Sequence, residues 1–193
     1  MPRWRCSREE TRCSHRVGPS ASRLLEADLE LLLIRHGIAA DRGAWSGRDE
    51  DRPLTPDGIR RFRQAALGLA RVGQPPDAVF TSPVRRARET AEIAASAWGL
   101  GQPTDAPALA WGDIEEIDDL LATQSRSGVY ALVGHEPHLS ELLAHLVGSK
   151  RAERLPFKKG GAARLALPGR PTEGGRLLWL LPPRVLRALA ETK

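Results

Sequence analysis

Residues 29–37 read Leu-Glu-Leu-Leu-Leu-Ile-Arg-His-Gly, an apolar run that ends abruptly in Arg35-His36-Gly37. A run of branched apolar residues this short is typical of a strand buried on both faces of a sheet. Open α/β sheets bind ligands at the carboxyl ends of their strands, so Arg35 and His36 are candidate site residues. Gly37 allows a sharp turn or a close backbone approach. Taken alone, the three residues fit equally well a strand that happens to end in polar side chains.

Helices and strands alternate after this strand. Thr55 is a suitable N-cap and Pro56 suits the first position of a helix, and Ser82-Pro83 repeats that start for a second helix to about Trp98. The other predicted elements are strands at 78–81, 129–133, 163–167 and 176–181, a brief strand near 107–110, and helices at 113–125, 139–147 and 183–191. This alternation predicts an α/β fold, a three-layer α/β/α sandwich with a mostly parallel central sheet.

The 193 residues suit one domain, which we place at 29–193. Residues 1–28 contain six arginines and four acidic residues without clear periodicity, which predicts a poorly ordered extension. Cys6 and Cys13, even with His15, lack the spacing of a zinc site and are predicted to be free thiols. No stretch is apolar enough to span a bilayer or to serve as a secretory signal, so a cytoplasmic location is expected.

The formal net charge of +5 is compatible with an anionic substrate. Basic and aromatic residues are not interleaved as base stacking would require, so nucleic acid is not an expected partner, and neither is a membrane. We interpret Lys158-Lys159 as a solvated turn, with contact to an acidic partner as the alternative. The sequence leaves the oligomeric state open, with a monomer as the expectation.

Three polar sites follow predicted strands: Arg35-His36, the helix start at 82–86, and His135. Parallel strands would bring all three sites to one edge of the sheet. Arg85 continues into a polar stripe on its helix, whereas Arg86 lies beside an alanine-rich stripe that should face the sheet. Arg86 is therefore the functional candidate of the pair.

Two histidines and two inward arginines suit a phosphoryl group. Guanidinium donors match phosphate oxygens and stay charged at any working pH. Neutral imidazole is a competent nucleophile, and a second imidazole can donate to the phosphoryl oxygens. Zinc is the rival ligand for paired histidines, but two arginines would repel it and no third ligand has recognisable spacing.

These motifs resemble the histidine phosphatase superfamily in order and spacing. The resemblance covers residues 29–190 and rests on Arg35-His36-Gly37, on Ser-Pro-Val-Arg-Arg-Ala-Arg-Glu-Thr at 82–90, and on Val-Gly-His-Glu-Pro at 133–137. The run Arg-Pro-Leu-Thr-Pro-Asp-Gly at 52–58 is similar to the small SixA-type phosphohistidine phosphatases, as are Lys-Lys-Gly-Gly-Ala at 158–162 and Trp-Leu-Leu-Pro-Pro at 179–183. The resemblance implies a phosphoglycerate-mutase-like fold and no metal or organic cofactor.

Carried over residue by residue, the resemblance makes His36 the nucleophile that becomes phosphorylated. It makes Arg35, Arg86 and His135 the phosphate pocket. Asp49 and Arg52 match positions near the substrate in the SixA-type branch, and we predict that they bind substrate.

The sequence departs from the larger family members at the leaving-group acid. Those members commonly carry a glutamate after the third strand, whereas residues 108–113 read Ala-Leu-Ala-Trp-Gly-Asp. A phosphoramidate nitrogen can be protonated before its bond to phosphorus breaks, whereas an alkoxide needs a proton donor. The departure favours protein phosphohistidine over sugar phosphates, although Asp49, Asp113 or Glu136 remains available as an acid.

The leading hypothesis is therefore a hydrolase, a phosphohistidine phosphatase acting in signal transduction on a phosphorylated protein. The first alternative is a phosphomonoesterase for small phosphorylated metabolites. The second is a non-catalytic module that binds phosphoproteins, against which the full set of histidines and arginines argues.

Overall fold

A computed structural model describes residues 29–111, 113–125 and 127–192. The predictions of an extension at 1–28 and of free thiols concern residues outside these ranges. The first described residue, Leu29, begins the strand that the sequence predicted.

Six strands of the described chain form one sheet in the order β3-β2-β4-β1-β5-β6. Their bounds are β1 (Leu29–Arg35), β2 (Ala78–Thr81), β3 (Thr104–Asp105), β4 (Gly128–Gly134), β5 (Ala162–Leu167) and β6 (Arg176–Leu181). The first four positions in that order pair in parallel, and β5 runs antiparallel between β1 and β6. The predicted mostly parallel sheet and the late strand pair are confirmed.

Helices cover both faces of the sheet. Their bounds are α1 (Pro56–Leu69), α2 (Arg85–Trp98), α3 (Ala108–Trp111), α4 (Ile114–Ala122), α5 (His138–Leu146) and α6 (Pro183–Glu191). Buried side chains of α1, α2 and α6 share one apolar cluster, and those of α3, α4 and α5 share the cluster on the opposite face. In the part of the chain that the structure describes, no helix is both long and apolar enough to cross a membrane.

β1 lies in the middle of these layers. Leu31 and Leu33 pack into the cluster with α3, α4 and α5, whereas Leu32 and Ile34 pack into the cluster with α1, α2 and α6. All four side chains are almost fully buried. Each contributes about 2 kcal/mol of burial free energy, which explains why a continuous apolar run rather than an alternating one forms this strand.

α1 begins as the sequence predicted and ends against α6. The Oγ1 of Thr55 accepts a hydrogen bond from the backbone N–H of Gly58 at 2.9 Å, and Pro56 occupies the first turn. Further along α1, a Cβ at Gly68 would collide with the carbonyl oxygen of Leu186. The two helices therefore meet backbone to backbone, and only glycine fits at position 68.

Three local predictions are wrong. The second helix begins at Arg85, because Ser82 Oγ accepts the N–H of Val84 across a short turn and Val84 is extended. Residues 108–111 form α3, and the strand before it is confined to 104–105. A short apolar run such as Ala-Leu-Ala-Trp fits a helix and a strand equally well by pattern, and the burial of Leu109 decides for the helix here. The helix predicted to reach residue 125 ends at Ala122.

Candidate active site

The site lies at the edge of the sheet where β1, β2 and β4 end. The N–H of His36 donates to the carbonyl of Gly134 at 3.0 Å, and the N–H of Ser82 donates to the carbonyl of Val133 at 2.9 Å. These bonds extend the parallel ladder by one residue and bring the three predicted strand-end sites together. The rings of His36 and His135 lie 5.0 Å apart between centroids and are tilted by 52°.

The His36 ring is held in one tautomer. Its Nδ1 lies 2.7 Å from the carbonyl oxygen of Gly37, and a carbonyl oxygen only accepts, so Nδ1 carries the proton. The Nε2 lone pair is therefore free. Burial and the neighbouring His135 lower the pKa of His36 to about 3, and the charges of Arg86 and Arg35 act in the same direction. The ring is consequently neutral and nucleophilic at neutral pH.

His135 is held through Nε2, whereas His36 is held through Nδ1. Its Nε2 lies 2.9 Å from Ser82 Oγ, and that oxygen already accepts the N–H of Val84 at 3.3 Å. We assign the Ser82 hydroxyl as the donor to Nε2, and with this assignment the proton of His135 lies on Nδ1. This Nδ1 is buried and has no hydrogen-bond partner among the described residues. Burial, then the charge of Arg86, lowers the pKa of His135 to about 4.

Arg86 and Arg35 each retain a buried donor without a partner. Arg86 donates through Nη1 to the backbone carbonyl of Asp49 at 2.8 Å and contacts its carboxylate at 3.1 Å. Arg35 donates through Nη1 to the carbonyl of Phe157. The Nε atoms of both arginines are buried and unpartnered within the described chain. Arg85, by contrast, is exposed and pairs with Glu89 at 2.8 Å. The prediction that Arg86 faces the interior and Arg85 faces solvent is therefore confirmed.

Asp49 and Arg52 lie behind Arg86. Asp49 sits in a short 3₁₀ turn, Asp49–Asp51, and its Oδ1 accepts from Arg52 Nε at 3.1 Å and lies 3.0 Å from Arg52 Nη2. Arg52 also donates to the carbonyl of Ala40 at 2.7 Å. Partial burial opposes ionisation of Asp49, but the Arg86 and Arg52 charges prevail and lower the pKa of this carboxyl. The geometry thus gives Asp49 the task of orienting Arg86, while substrate contact by Asp49 and Arg52 stays a prediction.

Several contacts that fix the site were not anticipated from the sequence. Thr90 Oγ1 accepts the N–H of Gly37 at 3.0 Å and donates to the carbonyl of Arg86 at 2.6 Å. Thr90 lies one turn after Arg86 inside the quoted motif, so helical spacing was an available signal. The N–H of Gly160 donates to the carbonyls of Arg35, at 3.1 Å, and His36, at 3.0 Å. No local sequence pattern predicts this contact, because Gly160 lies more than a hundred residues after His36.

Each carboxylate that could protonate a leaving group already accepts hydrogen bonds. Asp49 is bound by two arginines, Asp113 accepts the N–H of Glu116 at 3.1 Å as the N-cap of α4, and Glu136 accepts the N–H of Phe157 at 2.8 Å. Of the three, Asp49 is the one whose ionised form is stabilised by the neighbouring charges of Arg86 and Arg52. Across residues 29–111, 113–125 and 127–192, no three His, Cys, Asp or Glu side chains cluster as metal ligands would.

The arrangement defines a class of site. An imidazole with a free Nε2 lies beside a second imidazole, and two guanidinium groups each keep a buried N–H without a partner among the described residues. This set suits the tetrahedral oxygens of a phosphoryl group. Comparison with known proteins agrees: the chain belongs to the histidine phosphatase superfamily (branch 1), whose model matches residues 31–119. A relative from Picosynechococcus sp., an uncharacterized protein, is 36% identical over 138 residues, which cover 69% of this chain and 82% of the relative.

Solved structures support the fold assignment. The protein histidine phosphatase SixA complexed with tungstate superimposes with a TM-score of 0.71 and 25% identity, covering 81% of this chain and 99% of that one. A protein from Agrobacterium tumefaciens, assigned as the phosphohistidine phosphatase SixA, gives a TM-score of 0.68 and 26% identity over the same shares of the two chains. The predicted three-layer, phosphoglycerate-mutase-like fold is confirmed.

Proposed function

We propose that the protein is a phosphatase that hydrolyses phosphohistidine on a protein through a phosphorylated His36 intermediate. One observation carries the proposal: the His36 ring is buried and neutral with Nδ1 bound to the Gly37 carbonyl, so only Nε2 can attack. The resemblance to a SixA bound to tungstate, a tetrahedral oxyanion, supports a phosphoryl substrate.

The reaction takes two displacements at phosphorus. In the first, His36 Nε2 attacks in line, the new N–P bond forms, and the bond to the substrate nitrogen breaks. Arg35, Arg86 and the Nδ1–H of His135 donate to the phosphoryl oxygens and stabilise the transferring group. In the second, water attacks phosphorus, the P–N bond to His36 breaks, and inorganic phosphate leaves with His36 neutral again.

The leaving group favours phosphohistidine over a phosphate ester. A phosphoramidate nitrogen takes its proton from solvent before the bond breaks, so it needs no carboxylic acid in the site. Asp49 is ionised between two arginines, and Asp113 and Glu136 are engaged with backbone N–H groups. An alkoxide leaving group would need a proton donor, and the ionised Asp49 does not supply one. A phosphohistidine protein of a cytoplasmic signalling relay is therefore the proposed substrate, with small phosphate esters as the second candidate.

A substrate panel tests the proposal. Wild type, His36→Ala and His145→Ala are each incubated with a phosphohistidine peptide, a sugar phosphate and a nucleotide phosphate, and released phosphate is measured. His145 is an exposed histidine on α5 and serves as the matched control. We expect wild type and His145→Ala to prefer the peptide, and His36→Ala to be slower by about 10⁴-fold or more.

Radioactive phosphate on the enzyme reports the intermediate. Acid-labile label should appear on wild type and on His145→Ala but not on His36→Ala. Faster turnover of the esters would assign the protein to small metabolites. Peptide binding without any label or phosphate release would make it a non-catalytic phosphoprotein-binding module.

A further inference from the structure

A cationic groove lies beside the active site. It has a volume of about 440 Å³ and runs between the end of β1, α1, α6 and the turn at 158–160. Its rim is basic and consists of Arg61, Lys158, Lys159, Arg184 and Arg187. Its floor is apolar and includes Ile38, Phe62, Ala65 and Pro183. A cavity of this size with apolar walls and few polar groups is typical of a binding site rather than of an ordinary surface depression.

The charge of the groove is largely uncompensated. Arg61 pairs with Asp57 at 2.6 Å, but no acidic side chain of the described residues lies within ion-pair distance of the other four rim cations. Elsewhere on the surface, Arg85, Arg88 and Arg170 each meet a carboxylate. The first turn of α6 also carries no acidic residue, so the positive end of its helix dipole adds to the rim. The groove therefore favours an anionic ligand.

The groove adjoins the proposed nucleophile through the backbone. Gly37 lines the groove, and its carbonyl oxygen accepts the hydrogen bond from Nδ1 of His36. Gly160 lines it too, and its N–H donates to the carbonyl of His36 at 3.0 Å. A protein bound with its phosphohistidine at His36 would be large enough to cover the adjoining groove as well.

The combination of rim and floor indicates the kind of ligand. Phosphate alone would use the cations and leave the apolar floor uncovered, where Ile38 and Pro183 are half-buried. An extended acidic peptide with an apolar side chain would satisfy both, because carboxylates would meet the rim and the apolar group would cover the floor. Residues 1–28 do not match this description, since arginines outnumber acidic residues there by six to four.

We infer that the groove receives an acidic segment of the phosphoprotein substrate, containing at least one large apolar residue, next to the phosphohistidine that reacts with His36. The inference rests on the proposed function and deepens it, because it names the surface chemistry of the partner. Lys158-Lys159 is then the docking contact for an acidic partner rather than a solvated turn.

Two phosphohistidine peptides test the inference. They are identical except for the flank, Glu-Leu-Glu-Glu in one and Gln-Leu-Gln-Gln in the other. Wild type should show a kcat/KM about tenfold higher for the acidic peptide at low ionic strength, and salt should shrink this ratio. Lys158→Glu/Lys159→Glu should abolish or invert the ratio. The control, Lys150→Glu/Arg176→Glu, changes the net charge equally and should keep the ratio of wild type, because Arg176 begins β6 at the opposite edge of the sheet.

The outcomes separate this inference from the proposed function. A ratio near one in wild type, or an equal loss in both double variants, would overturn the acidic-segment assignment while leaving phosphohistidine hydrolysis intact. Fluorescence anisotropy with the unphosphorylated acidic peptide provides the independent arm. Binding to wild type and not to Lys158→Glu/Lys159→Glu supports the groove even if neither peptide is hydrolysed. Competition at the groove by a bisphosphorylated sugar, without preference for the acidic peptide, would assign it to a metabolite instead and reject the inference.

Discussion

Two buried arginines, Arg164 in β5 and Arg86 at the start of α2, are similarly shielded from solvent but differ in how their donors are used. Arg164 pairs through Nε with Glu30 and donates through Nη1 to the carbonyl of Gln74 at 3.1 Å. Arg86 reaches Asp49 through Nη1 but leaves its buried Nε without a partner among the described residues. The two arginines are therefore alike in burial and differ in one respect: Arg86 keeps a buried N–H without a partner among the described residues.

The distribution of unpartnered buried atoms follows the same distinction. A buried donor without a partner costs about 1–3 kcal/mol, so a fold retains one only where a ligand completes it or where another contact prevails. Four buried side-chain atoms of the described chain have no partner: three belong to Arg35, Arg86 and His135 at the candidate site, and the fourth is an acceptor, Oδ1 of Asp118 in α4. Under the proposed function, a phosphoryl group bound at this site would supply acceptors for these three donors.

Replacing Arg86 gives the largest expected effect on this comparison. Arg86→Met should lower kcat/KM toward a phosphohistidine peptide by about 10²–10³-fold, because a charged donor to the transferring group is lost. Its free energy of unfolding should change by less than about 1 kcal/mol, since an unsatisfied donor leaves the interior together with the ion pair. Steady-state kinetics and urea unfolding measure the two quantities. A large loss of stability would place Arg86 with Arg164 as a structural residue.

Arg164→Met is the matched substitution at the arginine whose donors are bound within the fold. It should lower the free energy of unfolding by about 3 kcal/mol, because Glu30 and the carbonyl oxygens of the 72–74 turn lose their shared partner. The kcat/KM of the folded protein should stay within about twofold of wild type, since Arg164 donates to groups of the fold itself and not to the candidate site. A kinetic loss comparable to that of Arg86→Met would break the comparison.

The two histidines make stability depend on pH. Their pKa values are lowered to about 3 for His36 and about 4 for His135, whereas unfolded histidine titrates near 6.5. Below about pH 6.5 the histidines bind protons in the unfolded state but stay neutral in the folded state, so the free energy of unfolding falls as pH decreases. We expect a loss of about 2 kcal/mol per histidine between pH 6.5 and pH 5.

Urea unfolding over this pH range, beside His36→Gln, measures the histidine contribution. The variant should lose about 2 kcal/mol less than wild type. Equal losses would mean that His36 titrates near its ordinary value, which would also weaken the case for a neutral nucleophile.

Ser82→Ala gives the smallest expected effect. Without the hydroxyl, Nε2 of His135 has no donor to hold it as an acceptor, and the ring can place its proton on either nitrogen. We expect kcat/KM to fall about tenfold, with the free energy of unfolding changed by about 1 kcal/mol. The ¹⁵N chemical shifts of His135 provide the readout that a merely structural role would leave unchanged. They should indicate protonated Nδ1 in wild type and a mixture of tautomers in the variant.

The fold followed from the sequence where one force dominated. β1 and β4 are buried on both faces, and their longer apolar runs predicted them correctly. Thr55 and Ser82 are both followed by proline, but only Thr55 caps a helix, since its Oγ1 accepts the N–H of Gly58. The Oγ of Ser82 contacts the N–H of Val84 and Nε2 of His135 instead. A cap and a short turn differ in tertiary contacts that no local window contains.

The candidate site divides in the same way. Its side chains were identifiable because strand ends and helical spacing place Arg35, Arg86 and His135 at one edge. The backbone that orients them was not, since the carbonyl of Phe157 and the N–H of Gly160 reach the site only through the antiparallel return of β5. Which nitrogen of each ring carries the proton likewise depended on partners that only the folded chain reveals.

The backbone contact at Gly68 has an evolutionary consequence. Any side chain there would push α6 away from α1 and carry Arg184 and Arg187 with it, while the strands that hold His36 and His135 stay in place. Substitutions along this contact between α1 and α6 would therefore reshape the groove and leave His36 and His135 in place. Under the function and the docking surface proposed above, a chain could in this way change its preferred substrate protein and keep both histidines.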